Sequence, residues 1–160
     1  MNLARMSSRR IGLFTLHVGP ETYGIPGDRA FGVFRLGRVT PAPLAPPALL
    51  GFSLVRGRIL ATISLARRLD PAARAPAEGS PGVAVEHGGD RFGLVADGIE
   101  GVEYFEPEDA VAAPADADPA RLALCAGAYR RGDGIVAELD VGALLRLPVP
   151  RVEPALVRMS

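Results

Sequence analysis

The candidates for covalent or metal chemistry in this sequence are few: His17, His87, Cys125, Ser53 and Ser64. Acyl transfer needs a nucleophile beside a base, and a metal centre needs several converging donors. The spacing supports neither, and the chain contains no HExxH, CxxC or GxSxG. His17 and His87 each end the first strand of a repeated unit, so duplication accounts for the pair and both read as solvated hairpin histidines. A metal site joining them to Cys125, and a small hydrolase built on His17 or His87, are the minor alternatives. Cys125 lies in an apolar strand and reads as a small buried hydrophobe. The expectation is a non-enzyme with no catalytic residue, no metal and no cofactor.

Phosphate loops fare no better. Gly132-Asp133-Gly134-Ile135-Val136-Ala137 matches the loose dinucleotide fingerprint, but a strand follows it, so no helix N-terminus faces a pyrophosphate. Gly88 to Gly93 has the span of a phosphate loop without its Lys and hydroxyl. The tripeptide Arg131-Gly132-Asp133 invites an adhesion reading, but a hairpin turn accounts for it.

What must position any site is a β-rich chain. Its 160 residues are 48% apolar, with 19 glycines and 15 prolines punctuating short apolar runs, a pattern of many short strands. The 18 basic residues, all Arg, balance 18 acids, which argues against a nucleic-acid binder. The lone Cys125 excludes a disulfide-stapled scaffold. Arg5, Arg9 and Arg10 precede Ile11 to Val18, a run broken by Gly12, Thr15 and His17 that reads as a first strand rather than a signal peptide or membrane span. Charge is unevenly placed: Arg29 to Arg68 holds seven arginines and no acid, and Phe92 to Ala120 holds eight acids and no base. Each run is a solvated face or a device that steers partners into one orientation.

The chain repeats itself. Tyr23-Gly24-Ile25-Pro26-Gly27-Asp28 and Gly32-Val33 align at an offset of 69 with Phe92-Gly93-Leu94-Val95-Ala96-Asp97 and Gly101-Val102. At an offset of 76, Ile59 to Leu65 matches Ile135 to Val141, with Gly51 on Gly127 and Pro43 on Pro119. Strands are predicted over 13–18, 22–25, 54–63, 83–86, 91–96, 122–129 and 135–139, with turns at 88–90 and 131–134. Ser64 and Asp140 are N-caps of single helical turns over 64–69 and 140–145. The fold class is all-β: five or so short strands and one helical turn, twice over, describe a pair of small barrels over residues 11–145. Residues 11–69 form the first barrel repeat, 82–145 the second, 70–81 a connecting loop and 146–160 a C-terminal tail.

The order of these segments resembles the CheW family of chemosensory adaptors from about Gly12 to Leu145. It rests on Phe14-Thr15-Leu16, Tyr23-Gly24-Ile25, Val39-Thr40-Pro41 with Pro43 and Pro46, Gly51 to Ile59, and Phe92 to Val102. The Gly51 segment is similar to the family's Gly-Val-x-Asn-Leu-Arg-Gly-x-Ile. The resemblance implies two tandem, intertwined SH3-like five-stranded barrels and a cytoplasmic, non-catalytic coupling protein between the cytoplasmic tips of methyl-accepting chemoreceptors and the regulatory domain of the histidine kinase CheA, without membrane insertion. Carried over by motif, partner contacts fall on Ala30, Gly32, Gly51, Val55, Arg56, Gly57 and Arg58. Departures are Leu54 for the family's Asn, Ser64 for its Asp, Ala61 for a frequent Pro, and Gly32 at a commonly acidic position. A CheW-like module in a non-chemotactic two-component or motility system is the alternative.

Overall fold

The computed structural model describes residues 10–114 and 116–147; Arg5, Arg9 and the tail beyond Leu147 lie outside the described residues. Eleven strands form along the chain: β1 Ile11–Val18, β2 Glu21–Pro26, β3 Ala30–Arg35, β4 Val39–Thr40, β5 Leu49–Val55, β6 Arg58–Ser64, β7 Pro81–His87, β8 Asp90–Val95, β9 Gly98–Phe105, β10 Cys125–Arg131 and β11 Gly134–Leu139. Three short α-helices, α1 Leu65–Leu69, α2 Pro119–Leu122 and α3 Val141–Leu144, follow β6, precede β10 and follow β11.

Two sheets result, one ordered β10-β11-β2-β1-β9 and the other β3-β7-β8-β6-β5-β4. Each therefore takes its leading hairpin from one repeat and the rest from the other. β2 runs parallel to β11 (Ala137↔Tyr23), and β8 runs parallel to β6 at the matching position (Ala61↔Phe92). Both repeats break register at equivalent glycines, Gly51 opposite Thr62 and Gly127 opposite Glu138. Ser64 Oγ accepts from the Arg67 amide at 3.2 Å, and Asp140 Oδ1 accepts from the Ala143 amide at 3.1 Å, so both expected caps form.

Three local readings are corrected. The run 54–63 is a hairpin rather than one strand, because Arg56 and Gly57 both take positive φ, 49° and 79°, and reverse the chain. Residues 119–122 are helical, capped by Asp118, so the strand expected over 122–129 begins at Cys125. β3 and β9 escape the pattern because their outward residues, such as Val33, Val102 and Tyr104, are apolar and mask the alternation.

The sheets pack together through Leu16, Tyr23 and Ile25 on one side and Ile63, Val83, Val85 and Leu94 on the other, with Leu65, Leu139 and Leu144 among them. Fully burying one such side chain contributes roughly 1.5–3 kcal/mol. The five-stranded sheet also curls, bringing its edge strands β9 and β10 together through the Phe105 and Tyr129 rings, 5.5 Å apart. Arg131 of β10 adds bonds to Glu100 Oε2 at 2.7 Å and Glu103 Oε1 at 2.6 Å on β9. The all-β class with short helical turns is thus the observed one.

Candidate functional site

The five chemically capable side chains do not converge. His17 is partly exposed; its Nε2 meets Glu100 and its Nδ1 lies 3.4 Å from Thr22 Oγ1. His87 is partly buried, with Nδ1 enclosed and unpartnered beside Gly142. His17 keeps solvent contact, whereas the solvated reading of His87 is corrected, and so is the equivalence of the two. The register pairs Phe14 with Val102 and Val33 with Val83, an offset of 69 that places His17 on Glu86, one residue short of His87. Ser53 is buried with its hydroxyl unpartnered, and Ser64 is engaged as a cap. Burial pushes the Cys125 thiol up, away from the reactive thiolate. No cluster of three or more His, Cys, Asp or Glu suited to a metal is found among the described residues.

A different constellation forms at the β5–β6 hairpin. Val55 and Arg58 close it, and Arg56 and Gly57 make the turn. Arg56 stands in the left-handed region, a conformation that costs a residue with a Cβ about 1–2 kcal/mol. Its Nη2 donates to the Val33 carbonyl of β3 at 3.0 Å, a charge-assisted bond that holds the turn against the far edge of the sheet. Gly32 makes room for this: an added Cβ would sit 2.9 Å from Arg56 Nη1, and its φ of 154° resists a side chain. Thus Gly32, Val55, Arg56, Gly57 and Arg58 come together. Gly51 and Ala30 stand apart from them. Gly51 is buried at the bulge, and Ala30 packs against the core opposite Val85.

Apolar residues beside this turn were missed by motif reasoning. Leu54 and Ile59 face each other across the hairpin and are 72% and 73% exposed. Phe52 shares the Leu54 face by strand alternation, and Phe31 and Val33 on β3 are half exposed. Ile59, Ala61 and Ile63 lie on one face of β6 and pass from exposed to fully buried, so the stripe continues the central core into solvent. The signal was present in the sequence, since Leu54 occupies the place of a polar residue in the motif. Large exposed apolar groups rimmed by Arg58 have the composition of a protein-binding surface.

The charge runs also acquire a structure. Four of the seven arginines, Arg35, Arg56, Arg67 and Arg68, donate to main-chain carbonyls, and none of the seven makes an ion pair among the described residues. Acids of the second repeat instead find cations elsewhere, as in Glu106 with Arg10 and Glu103 with Arg131.

The family model of the CheW-like domain matches residues 12–149. The chain belongs to this family. The scaffolding protein TtCheW from Thermoanaerobacter tengcongensis has a similar fold, with a TM-score of 0.75 and 20% identity over 86% of this chain and 94% of that one. No curated protein sequence matches the chain. CheW-like proteins are non-catalytic adaptors of chemotaxis signalling, so this chain acts by binding. That agrees with a site made of a clamped turn and exposed apolar residues rather than a nucleophile and base. No helix among the described residues is long and apolar enough to cross a membrane.

Proposed function

We propose that this CheW-like chain is a cytoplasmic adaptor that couples the cytoplasmic tips of methyl-accepting chemoreceptors to the regulatory domain of the histidine kinase CheA. The observation that carries this reading is the exposed Leu54–Ile59 pair beside the clamped Arg56 turn, on the segment that bears the family motif. In this reading Leu54 and Ile59 form the apolar centre of a partner contact, with Arg56, Gly57 and Arg58 at its rim and Val55 supporting the turn. Gly32 and Gly51 shape the backbone beneath it, and Ala30 seats β3. Patches of about 800 Å² a side are expected for such contacts.

The test is retention of purified kinase regulatory domain and receptor tip fragments on immobilised chain. The wild type retains both; Leu54→Asp reduces retention while keeping the wild-type melting temperature, and Arg56→Glu reduces retention and also melts lower, because it loses the bond to the Val33 carbonyl. Absence of retention by the wild type sinks the coupling role, and unchanged retention by both variants removes the hairpin from the site.

A further inference from the structure

The two repeats differ beside their equivalent bulges. In the six-stranded sheet, β4 lies along the outer edge of β5, pairing Val39 with Ser53 and Thr40 with Phe52. The chain then crosses Gly51 so closely that an added Cβ would lie 2.1 Å from the Thr40 carbonyl oxygen and 2.8 Å from Pro41 Cα. The second repeat begins the same way. Ala110 bridges Tyr129, and the Val111 amide donates to the Ala128 carbonyl at 3.0 Å. There the likeness stops: an added Cβ at Gly127 would meet nothing within 4 Å.

A cleft of about 960 Å³ opens at this place, walled by Val111, Leu122, Cys125, Gly127 and Ile135. Its size is near the upper end of ligand-site volumes, roughly 300–1,000 Å³. The polar groups at one side are already matched, Arg121 Nη1 donating to Glu21 Oε1 at 2.9 Å and the Tyr23 hydroxyl donating to the same carboxylate. Among the described residues, what stays unmatched is the apolar wall and the edge of β10 along Cys125 to Gly127, where exposed Ala126 and Gly127 let another main chain approach. An uncovered edge with small side chains is a template for strand addition.

We propose that this cleft seats an extended apolar peptide of a partner protein, antiparallel to β10, with proline or another small residue over Gly127. The first repeat supplies the precedent, because its own Thr40–Pro41 main chain takes that position over Gly51. The proposal is independent of the β5–β6 surface, which lies in the other sheet.

The probe is the N-acetylated synthetic peptide Pro-Ala-Pro-Leu-Ala-Pro-Pro, the sequence of residues 41–47, because Ala110 and Val111 already fill the places of Val39 and Thr40. Titrated into the isotope-labelled full chain, it is expected to give saturable amide shifts confined to the cleft, at Leu122 and Cys125 to Ala128, and to slow alkylation of Cys125. Gly127→Val, placed in open space at a residue without positive φ, is expected to keep the wild-type melting temperature and weaken binding at least about tenfold, a loss of about 1.4 kcal/mol. No saturable shifts in the cleft at millimolar peptide together with unaltered Cys125 alkylation overturns the proposal. Full-strength binding by Gly127→Val does the same. A concentration-dependent dimer of the wild type that Gly127→Val abolishes also overturns it, since the occupant is then a second copy. Should Gly127→Val melt early, protection of Cys125 in the wild type decides alone.

Discussion

Arg68 Nε donates to the carbonyl of Leu144 at 2.9 Å, and these two residues hold the same position in the two repeats, 76 apart. Arg68 Nη2 adds bonds to the carbonyls of Ala143 at 3.0 Å and Arg146 at 3.2 Å. A guanidinium on α1 thus satisfies the carbonyl end of α3, where orphan acceptors and a negative dipole end gather. Burial alone pulls its pKa down, so the carbonyls must offset that desolvation. Arg68→Ala is expected to cost roughly 1.5–3 kcal/mol in urea denaturation, with Arg68→Lys recovering only part, because an ammonium lacks the planar fork. A loss below about 0.5 kcal/mol for Arg68→Ala makes the clamp energetically idle.

The bulge glycines separate necessity from likeness. Gly51→Ala drives a Cβ into the Thr40 carbonyl at a φ of 137°, and a destabilisation of about 2–4 kcal/mol is expected. Gly127→Ala, in open space, is expected to stay within about 0.5 kcal/mol of the wild type. Thermal melts of the two single variants compare them directly; equal losses contradict the asymmetry between the repeats.

Two glutamates set opposite pH responses. Hydrogen bonding from Arg131 holds the Glu100 carboxyl below its ordinary value, aided by the Arg131 and His17 charges and Thr15. Its contribution is present above its unfolded pKa and is lost as pH falls through the folded one. Burial, then Asp140 and Asp28, push Glu138 up, so the native state favours its neutral form and loses stability as pH rises through that folded value. Glu138→Gln is expected to melt higher than the wild type at pH 7, and Glu100→Gln lower, with the Glu100→Gln deficit shrinking toward acid. Melting curves from pH 3 to 7 read both signs.

Kinase association is expected to weaken with salt. The arginines between Arg29 and Arg68 make no ion pairs among the described residues, so their charge is available to a partner's field. Raising salt shortens the screening length from about 10 Å at 0.1 M toward 3 Å at 1 M. Titration calorimetry with the kinase regulatory domain across that range checks it. Affinity independent of salt leaves the charge asymmetry without a role in coupling.

The family motif around Arg56 and Gly57 was legible in the sequence, but its geometry was not. Nothing local indicates that Arg56 reaches Val33, because that bond spans 23 positions and depends on how far the sheet curls. The apparent match of His17 with His87 shows the same limit. A one-residue shift of register in a strand exchanges its two faces, and only the pairing with β3 and β9 fixes which offset holds.

By itself the sequence determined the duplication, both helix caps and the all-β class, since each is written in local spacing: short apolar runs, Gly and Asp turns, and a capping side chain before a helical turn. Tertiary structure alone decided that each leading hairpin joins the other repeat's strands. That choice rests on pairings such as Tyr23 with Ala137, 114 positions apart. It alone also decided that the place filled over Gly51 stands open over Gly127, because a glycine's neighbours across a sheet edge leave no trace in its own local sequence.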